Sequence, residues 1–165
     1  NNEGDIKETW IGRTVIKSNH RFSYEDVQKI IDNQTGLYDK EVILLHQLAQ
    51  TMRKVRMKEG AINFSSQEVR FKLDELGKPI GIVIKESTAS HQLIEVFMLL
   101  ANRTVAEKVS KVKVSNKPLP FPYRVHDQPD EDRLIPFVEF AKKYGYNFMT
   151  KTPAQIASSF NEIPW

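Results

Sequence analysis

Apolar positions change their spacing several times along the chain, and each spacing predicts an element. The run from Trp10 to Lys17 reads as a short strand. Ser23 then stands as an N-cap before Tyr24-Glu25-Asp26-Val27, with Val27, Ile30 and Ile31 as the stripe of a short helix that ends in Asn33-Gln34-Thr35-Gly36. From Lys40 to Lys58, Leu45, Leu48, Met52 and Val55 recur at spacings of three and four, so a longer helix is expected to bury that face and stop at Gly60. Arg53, Lys54 and Lys58 fall largely off this face.

The period then shortens to two. Val69, Phe71 and Leu73 alternate with Arg70, Lys72 and Asp74, and Ile80, Ile82 and Ile84 answer across Leu76-Gly77-Lys78-Pro79, which predicts a half-buried β-hairpin. A helix is expected from Thr88 to Val112. Its centre, Leu93-Ile94-Glu95-Val96-Phe97-Met98-Leu99-Leu100-Ala101, is apolar all round except for Glu95 and so is expected to be packed on all sides. Pro118, Pro120 and Pro122 impose an extended passage into a strand at Tyr123-Arg124-Val125-His126. Pro129 and an acidic first turn open a helix through Lys143, closed at Gly145, and Thr152-Pro153 starts a last helix carrying Ile156 and Phe160. The sum is an α+β fold, with helices on a small antiparallel sheet.

Composition narrows the function classes. Forty per cent of the 165 residues are hydrophobic, enough for a core, and no apolar run reaches the length of a membrane span. Cysteine is absent, which excludes a disulfide scaffold, thiolate metal sites and a cysteine nucleophile, and fits a reducing, cytoplasmic setting. The chain begins at Asn1 with no signal-peptide pattern, ends at Pro164-Trp165, and is read as a segment of a longer protein. Lys and Arg number 24 against 21 acidic residues. The cations concentrate in Arg53-Lys54-Val55-Arg56-Met57-Lys58 and in Arg103, Lys108, Lys111, Lys113 and Lys117. These stretches are either phosphate contacts or helix ends whose charge complements the macrodipole.

Glu95 is the most informative single position. A carboxylate inside an apolar helix costs several kcal/mol unless it is paired, protonated or facing a wet cavity. It is either salt-bridged to Arg124 or Arg21, or part of a pocket wall touching a polar ligand group. Phe64 is a core aromatic or a base-stacking platform beside the cations. Tyr24 either packs with a wet hydroxyl or shares a cleft with Arg21. Asp127, Asp130, Glu131 and Asp132 around Pro129 read as a helix N-terminus rather than a metal cage. The histidines at 20, 46, 91 and 126 have no zinc spacing. No phosphate loop, nucleophile elbow or catalytic triad is present, so nothing in the chain assembles a complete catalytic centre.

Several short motifs occur in a characteristic order. They are Arg21-Phe22-Ser23-Tyr24-Glu25-Asp26-Val27, Leu48-Ala49 with Met52-Arg53-Lys54-Val55-Arg56, and Gly60-Ala61-Ile62-Asn63-Phe64. Gly77-Lys78-Pro79 follows, then Leu93-Ile94-Glu95 running into Phe97-Met98-Leu99-Leu100-Ala101-Asn102 and Val105-Ala106, and finally Tyr123-Arg124-Val125-His126 with Pro129-Asp130. In this order and spacing the chain resembles the RNB catalytic domain of bacterial ribonuclease R and ribonuclease II, the ribonuclease R branch more closely. The resemblance runs from about Trp10 to Gly145. Residues 1–165 are accordingly read as part of an RNB catalytic domain, with 1–9 and 146–165 as flanks.

The resemblance implies 3′→5′ hydrolysis of single-stranded RNA to nucleoside monophosphates with magnesium, and two metal ions suit that chemistry. It implies a place beside the cleavage site for Tyr24, stacking on a base near the RNA 3′ end for Phe64, and a position by the terminal nucleotide for Glu95. Arg21 and Asn102 are carried over as supporting neighbours. The family's magnesium-binding aspartate cluster and arginine-rich catalytic segment lie outside the matched region, as do its oligonucleotide-binding domains. The metal ligands are therefore expected elsewhere in the parent protein, and the 165-residue piece is expected to be inactive alone, forming one wall of the RNA channel. Val96 stands where many relatives place a second glutamate, and Asn63 where many place aspartate. Two other readings are a non-catalytic RNA-binding or scaffolding module of RNB descent and an α+β interaction domain without an RNA role.

Overall fold

The computed structural model describes residues 1, 3–63, 68–85, 87–127 and 129–163. In chain order the elements are α1 (Tyr24–Asn33), α2 (Asp39–Lys58), β1 (Glu68–Leu73), β2 (Pro79–Lys85), α3 (Ala89–Ser110), β3 (Lys113–Val114), β4 (Lys117–Pro118), α4 (Glu131–Lys143) and α5 (Pro153–Glu162). The α+β class expected from the sequence is borne out. The chain divides into two compact units, Asn1–Lys54 with Ala89–Asp127 and Val55–Thr88 with Gln128–Trp165.

In the first unit, Ser23 caps α1 and its hydroxyl accepts the Asp26 N–H at 3.1 Å. The same hydroxyl donates to Asp26 Oδ2 at 2.8 Å, closing a reciprocal cap. Ile30 and Ile31 of α1 are buried with Val42 of α2, while Ala49 of α2 packs with Leu93 and Val96 of α3. The buried face of α2 is therefore centred on Val42 and Ala49, two turns apart. The expected stripe is rotated from this: Leu45 and Val55 stay largely exposed, and Leu48 and Met52 are half-buried.

Two further expectations are corrected. Residues 10–17 form no strand, and Trp10, Ile11, Val15 and Ile16 are exposed. Residues 123–126 form none either. Alternation alone does not make a strand without a partner to receive its backbone hydrogen bonds. Between α3 and the proline-rich passage the chain instead makes the small hairpin β3–β4, whose register pairs Val114 with Lys117. Its loop, Ser115-Asn116, has φ of +49° and +63°, the double left-handed conformation of a type I′ turn.

In the second unit, α2 ends on Gly60 at φ +100°. The Gly60 N–H bonds the Met57 carbonyl and the Ala61 N–H the Arg56 carbonyl, a Schellman close. The expected hairpin forms with Val69 opposite Ile84 and Phe71 opposite Ile82. Asp74 shapes its turn, accepting the Leu76 and Lys78 N–H groups on Oδ1 at 2.9 and 2.8 Å. The apolar face of this hairpin is more exposed than a half-buried sheet would be, with Phe71 64% and Ile82 66% accessible. α4 and α5 enclose an aromatic core. Phe148 stands edge-on to Phe137 and Phe160 with centroids 5.3 and 4.8 Å away, next to buried Leu134, Ala141 and Ile156. As expected, α5 opens on Thr152-Pro153 and α4 closes before Gly145.

The α1 cap makes a pH-dependent contribution. The hydrogen bond from the Ser23 hydroxyl, joined by one from the Ser23 backbone, holds the Asp26 carboxyl below its usual value. A carboxylate with a lowered folded pKa stabilises the fold above its unfolded value and loses that contribution as pH falls below about 4 through the folded one. We expect the difference in thermal midpoint between wild type and Ser23→Ala to shrink as pH drops through this window. An unvarying difference would show that the pair does not form in solution.

Candidate functional site

α3 carries most of the candidate chemistry, and its amino-terminal end is clamped to α1. Ser90 is 1% exposed, and its N–H, one of those that an α-helix leaves without an internal acceptor, donates to Gln28 Oε1 at 3.0 Å. Gln28 Nε2 in turn donates to Asp32 Oδ1 at 2.7 Å, which orients the amide. Beside this clamp, His91 stacks on Tyr24 with ring centroids 4.1 Å apart and planes 12° from parallel. The α1 cap thus fixes the start of the helix that presents Tyr24, and the clamp fixes the residue that receives it.

One face of α3 continues from there. His91, Glu95 and Asn102 lie four and seven residues apart, which places them on the same side of a helix. Met98, 54% exposed, lies between the last two. Glu95 is half-buried. The expectation of a helix packed on all sides is corrected here, because Ile94, Met98 and Leu99 face solvent while Ser90, Leu93 and Val96 are buried. Glu95 consequently sits at the border of a packed face, where its carboxylate costs less than in a closed interior. Val96, one residue on and about 100° round the helix, points into the contact with Ala49.

Of the sequence candidates, the first unit brings Tyr24 to this face through His91, and Glu95 and Asn102 share the face. Tyr24 is 43% exposed and also borders an open, largely apolar groove of about 540 Å³ with Phe22, Tyr38, Leu45, Leu93 and Ile94. Arg21 is exposed just before the cap. Phe64 lies outside the described residues. The chain leading to it is held in the second unit by Asn161, whose Oδ1 accepts the Asn63 N–H at 2.8 Å and whose Nδ2 donates to the Ala61 carbonyl at 2.9 Å. His91 has no zinc spacing to the other histidines, and its signal in the sequence is the spacing of four to Glu95.

The acidic residues near Pro129 do what a helix start requires. Asp130 caps α4, accepting the Asp132 N–H at 3.0 Å, with Arg133 Nε 3.6 Å from its other oxygen. Among the described residues no group of three or more histidine, cysteine, aspartate or glutamate side chains could hold a metal ion. Magnesium therefore has no cage among them, and no metal-dependent step is assigned to them. No helix among the described residues is long and apolar enough to cross a membrane.

This fold is that of a ribonuclease-family domain. The family model of the RNB domain matches residues 1–164, and the chain belongs to the RNB-domain family of ribonucleases. It is 32% identical to a DIS3-like exonuclease 2 of Schizosaccharomyces pombe over 98% of its length and 19% of the relative's. It is 33% identical to ribonuclease R of Chlamydia trachomatis over 93% of its length and 21% of the relative's. An Arabidopsis thaliana relative named inactive exonuclease DIS3L2 is 31% identical over 99% of the chain and 17% of its own length. The chain thus spans about a fifth of the curated relatives it matches. Among solved structures, apo ribonuclease R of Mycoplasma genitalium superposes with a TM-score of 0.81 at 32% identity, over 98% of this chain and 26% of that one. The same enzyme in complex with ribose-methylated single-stranded RNA gives 0.71 over 86% of this chain and 23% of that one.

The clamp yields a test. Gln28→Leu would remove the Oε1 acceptor of the Ser90 N–H, so a loss of about 1–3 kcal/mol is expected in urea unfolding. Tyr24 fluorescence or the His91 ring shifts should change with it, because the stack depends on the same contact.

Proposed function

We propose that this chain forms part of the RNA-channel wall of a 3′→5′ exoribonuclease that hydrolyses single-stranded RNA to nucleoside monophosphates. The observation that carries the reading is the match to ribonuclease R across 98% of the chain at a TM-score of 0.81. In this reading Tyr24, held on His91, stands beside the scissile phosphate. Glu95 meets the hydroxyls of the terminal ribose, and Phe64 stacks on a base near the 3′ end. Arg21 and Asn102 support the strand from either side of this group. The described residues bind and orient RNA. Residues of the parent protein outside this chain would hold magnesium, which when bound would supply the activation of water. The setting proposed is the cytoplasm, in line with the cysteine-free sequence and the bacterial relatives.

A second reading, a non-catalytic RNA-binding module of the same descent, is favoured by one relative's being named inactive and by the lack of a metal-binding group among the described residues. The two separate in one assay. With magnesium, the intact protein is expected to shorten 5′-labelled single-stranded RNA from its 3′ end and release mononucleotides, whereas the 165-residue chain alone leaves the RNA uncut. Salt-dependent binding by the intact protein without shortening would establish the second reading. No binding at all would remove both.

Phe64→Ala in the intact protein should weaken retention of short RNA by about 1–3 kcal/mol, seen as faster dissociation. An unchanged rate in a folded variant would argue against the stacking role.

A further inference from the structure

The basic residues after the middle of α3 are not used by the site described above. From Lys108 to His126 the chain has no acidic residue, and it carries Lys108, Lys111, Lys113, Lys117 and Arg124. Upstream, Arg103 is paired with Glu107 at 2.8 Å, and Lys108 Nζ donates to the Thr9 carbonyl at 3.2 Å. Lys111, Lys113 and Lys117 are exposed. Complementing the α3 macrodipole accounts for Lys108 and Lys111, but that effect fades within the last turn. Lys113 and Lys117 lie beyond it, in β3 and β4.

This hairpin is a fixed platform. Lys111 and Val112 N–H groups bond the Lys108 and Val109 carbonyls at the close of α3, and the Leu119 N–H bonds the Val112 carbonyl at 3.1 Å below the β3–β4 pair. The type I′ turn, with Ser115 and Asn116 both at positive φ, holds the tip. Strand alternation sends Lys113 and Lys117 to opposite faces of a ribbon two strands wide, about 5 Å. Two ammonium groups on long stems can therefore straddle one phosphodiester backbone crossing the tip, with Lys111 below them.

We infer that the Lys111–Lys117 platform is a second phosphate-binding surface for single-stranded RNA, engaging nucleotides upstream of the 3′ end. The inference rests on the function proposed above and adds a contact to it. Glu95 and Ser110 are fifteen residues apart on one helix, about 22 Å along its axis, so the platform is out of reach of the terminal nucleotide and meets only longer strands.

The test uses the intact protein with Lys111, Lys113 and Lys117 all changed to Gln, and separately all to Arg. Binding is measured against salt concentration for an RNA of about 20 nucleotides and for a trinucleotide. For the longer RNA, the Gln variant should lower the slope of log affinity against log salt by about 2, at about 0.7 for each lost contact to a single strand. Binding and shortening of the trinucleotide should not change, and the Arg variant should keep the wild-type slope. An unchanged slope in a folded Gln variant would overturn the inference while leaving the proposed function standing. So would an equal loss on the trinucleotide, or a loss in the Arg variant. Wild-type protein that neither binds nor shortens RNA would remove the proposed function and this inference with it.

Discussion

The hydrogen bond from the Ser90 N–H to Gln28 Oε1 decides where the working end of α3 stands. Every helix start has N–H groups that need acceptors, and here one is supplied by a different helix. Because Ser90 is almost fully buried, the bond cannot be exchanged for water without exposing the contact. That requirement ties α1 to α3 at one point. Three consequences follow from the tie. His91 is held against Tyr24, Glu95 is placed one turn further on, and Leu93 and Val96 are turned inward toward Ala49. The aromatic stack is thus a product of backbone satisfaction in the layer beneath it.

Elements whose signals are local were legible in the sequence. Ser23, Thr152 and the glycines at 60 and 145 mark helix ends through their own side-chain or backbone geometry, and the structure places the ends there. The hairpin of β1 and β2 was equally plain, because its period of two and its Gly77 turn are contained in one stretch. What failed depends on distant partners. The stretches at 10–17 and 123–126 have strand-like composition, but no strand among the described residues pairs with them. The burial of α2 was misplaced by a fraction of a turn, since leucine side chains dominate a periodicity count while the contact is made through Ala49. A small residue at a helix crossing carries little hydrophobic signal and a large geometric one.

The same division applies to the site. Tyr24, Glu95, Asn102 and Arg21 belong to the sequence motifs, and two of them, Glu95 and Asn102, share one side of a helix with His91, a geometry contained in their spacing. The stack between Tyr24 and His91 joins two helices and could not be read from spacing. Pro136 is a comparable case within α4. It lacks the N–H that would bond the Asp132 carbonyl, a defect that costs about 3 kcal/mol in a helix interior. The helix nevertheless runs on to Lys143, because Leu134, Phe137, Val138 and Ala141 pack into the aromatic core on both sides of the proline. Tertiary packing overrides the local preference.

Val96 shows how the fold limits the chemistry available to this face. Successive helical side chains diverge by about 100°, so residues 95 and 96 cannot both look toward the same groove. Here position 96 looks inward and is 6% exposed, beside Ala49 and Leu93. A carboxylate on that side chain would enter the apolar contact with Ala49 and Leu93, at a cost of several kcal/mol unless it were paired. Valine fills the space instead, packed with Ala49 and Leu93. Glu95 is then the one acidic group on this turn of α3. On the proposed function, a single carboxylate opposes an incoming phosphate chain less than a pair would and supplies an acceptor for hydroxyl groups. In the function proposed above, this turn therefore recognises the sugar edge of a strand rather than its phosphates. The cations that balance those phosphates have to come from other parts of the chain.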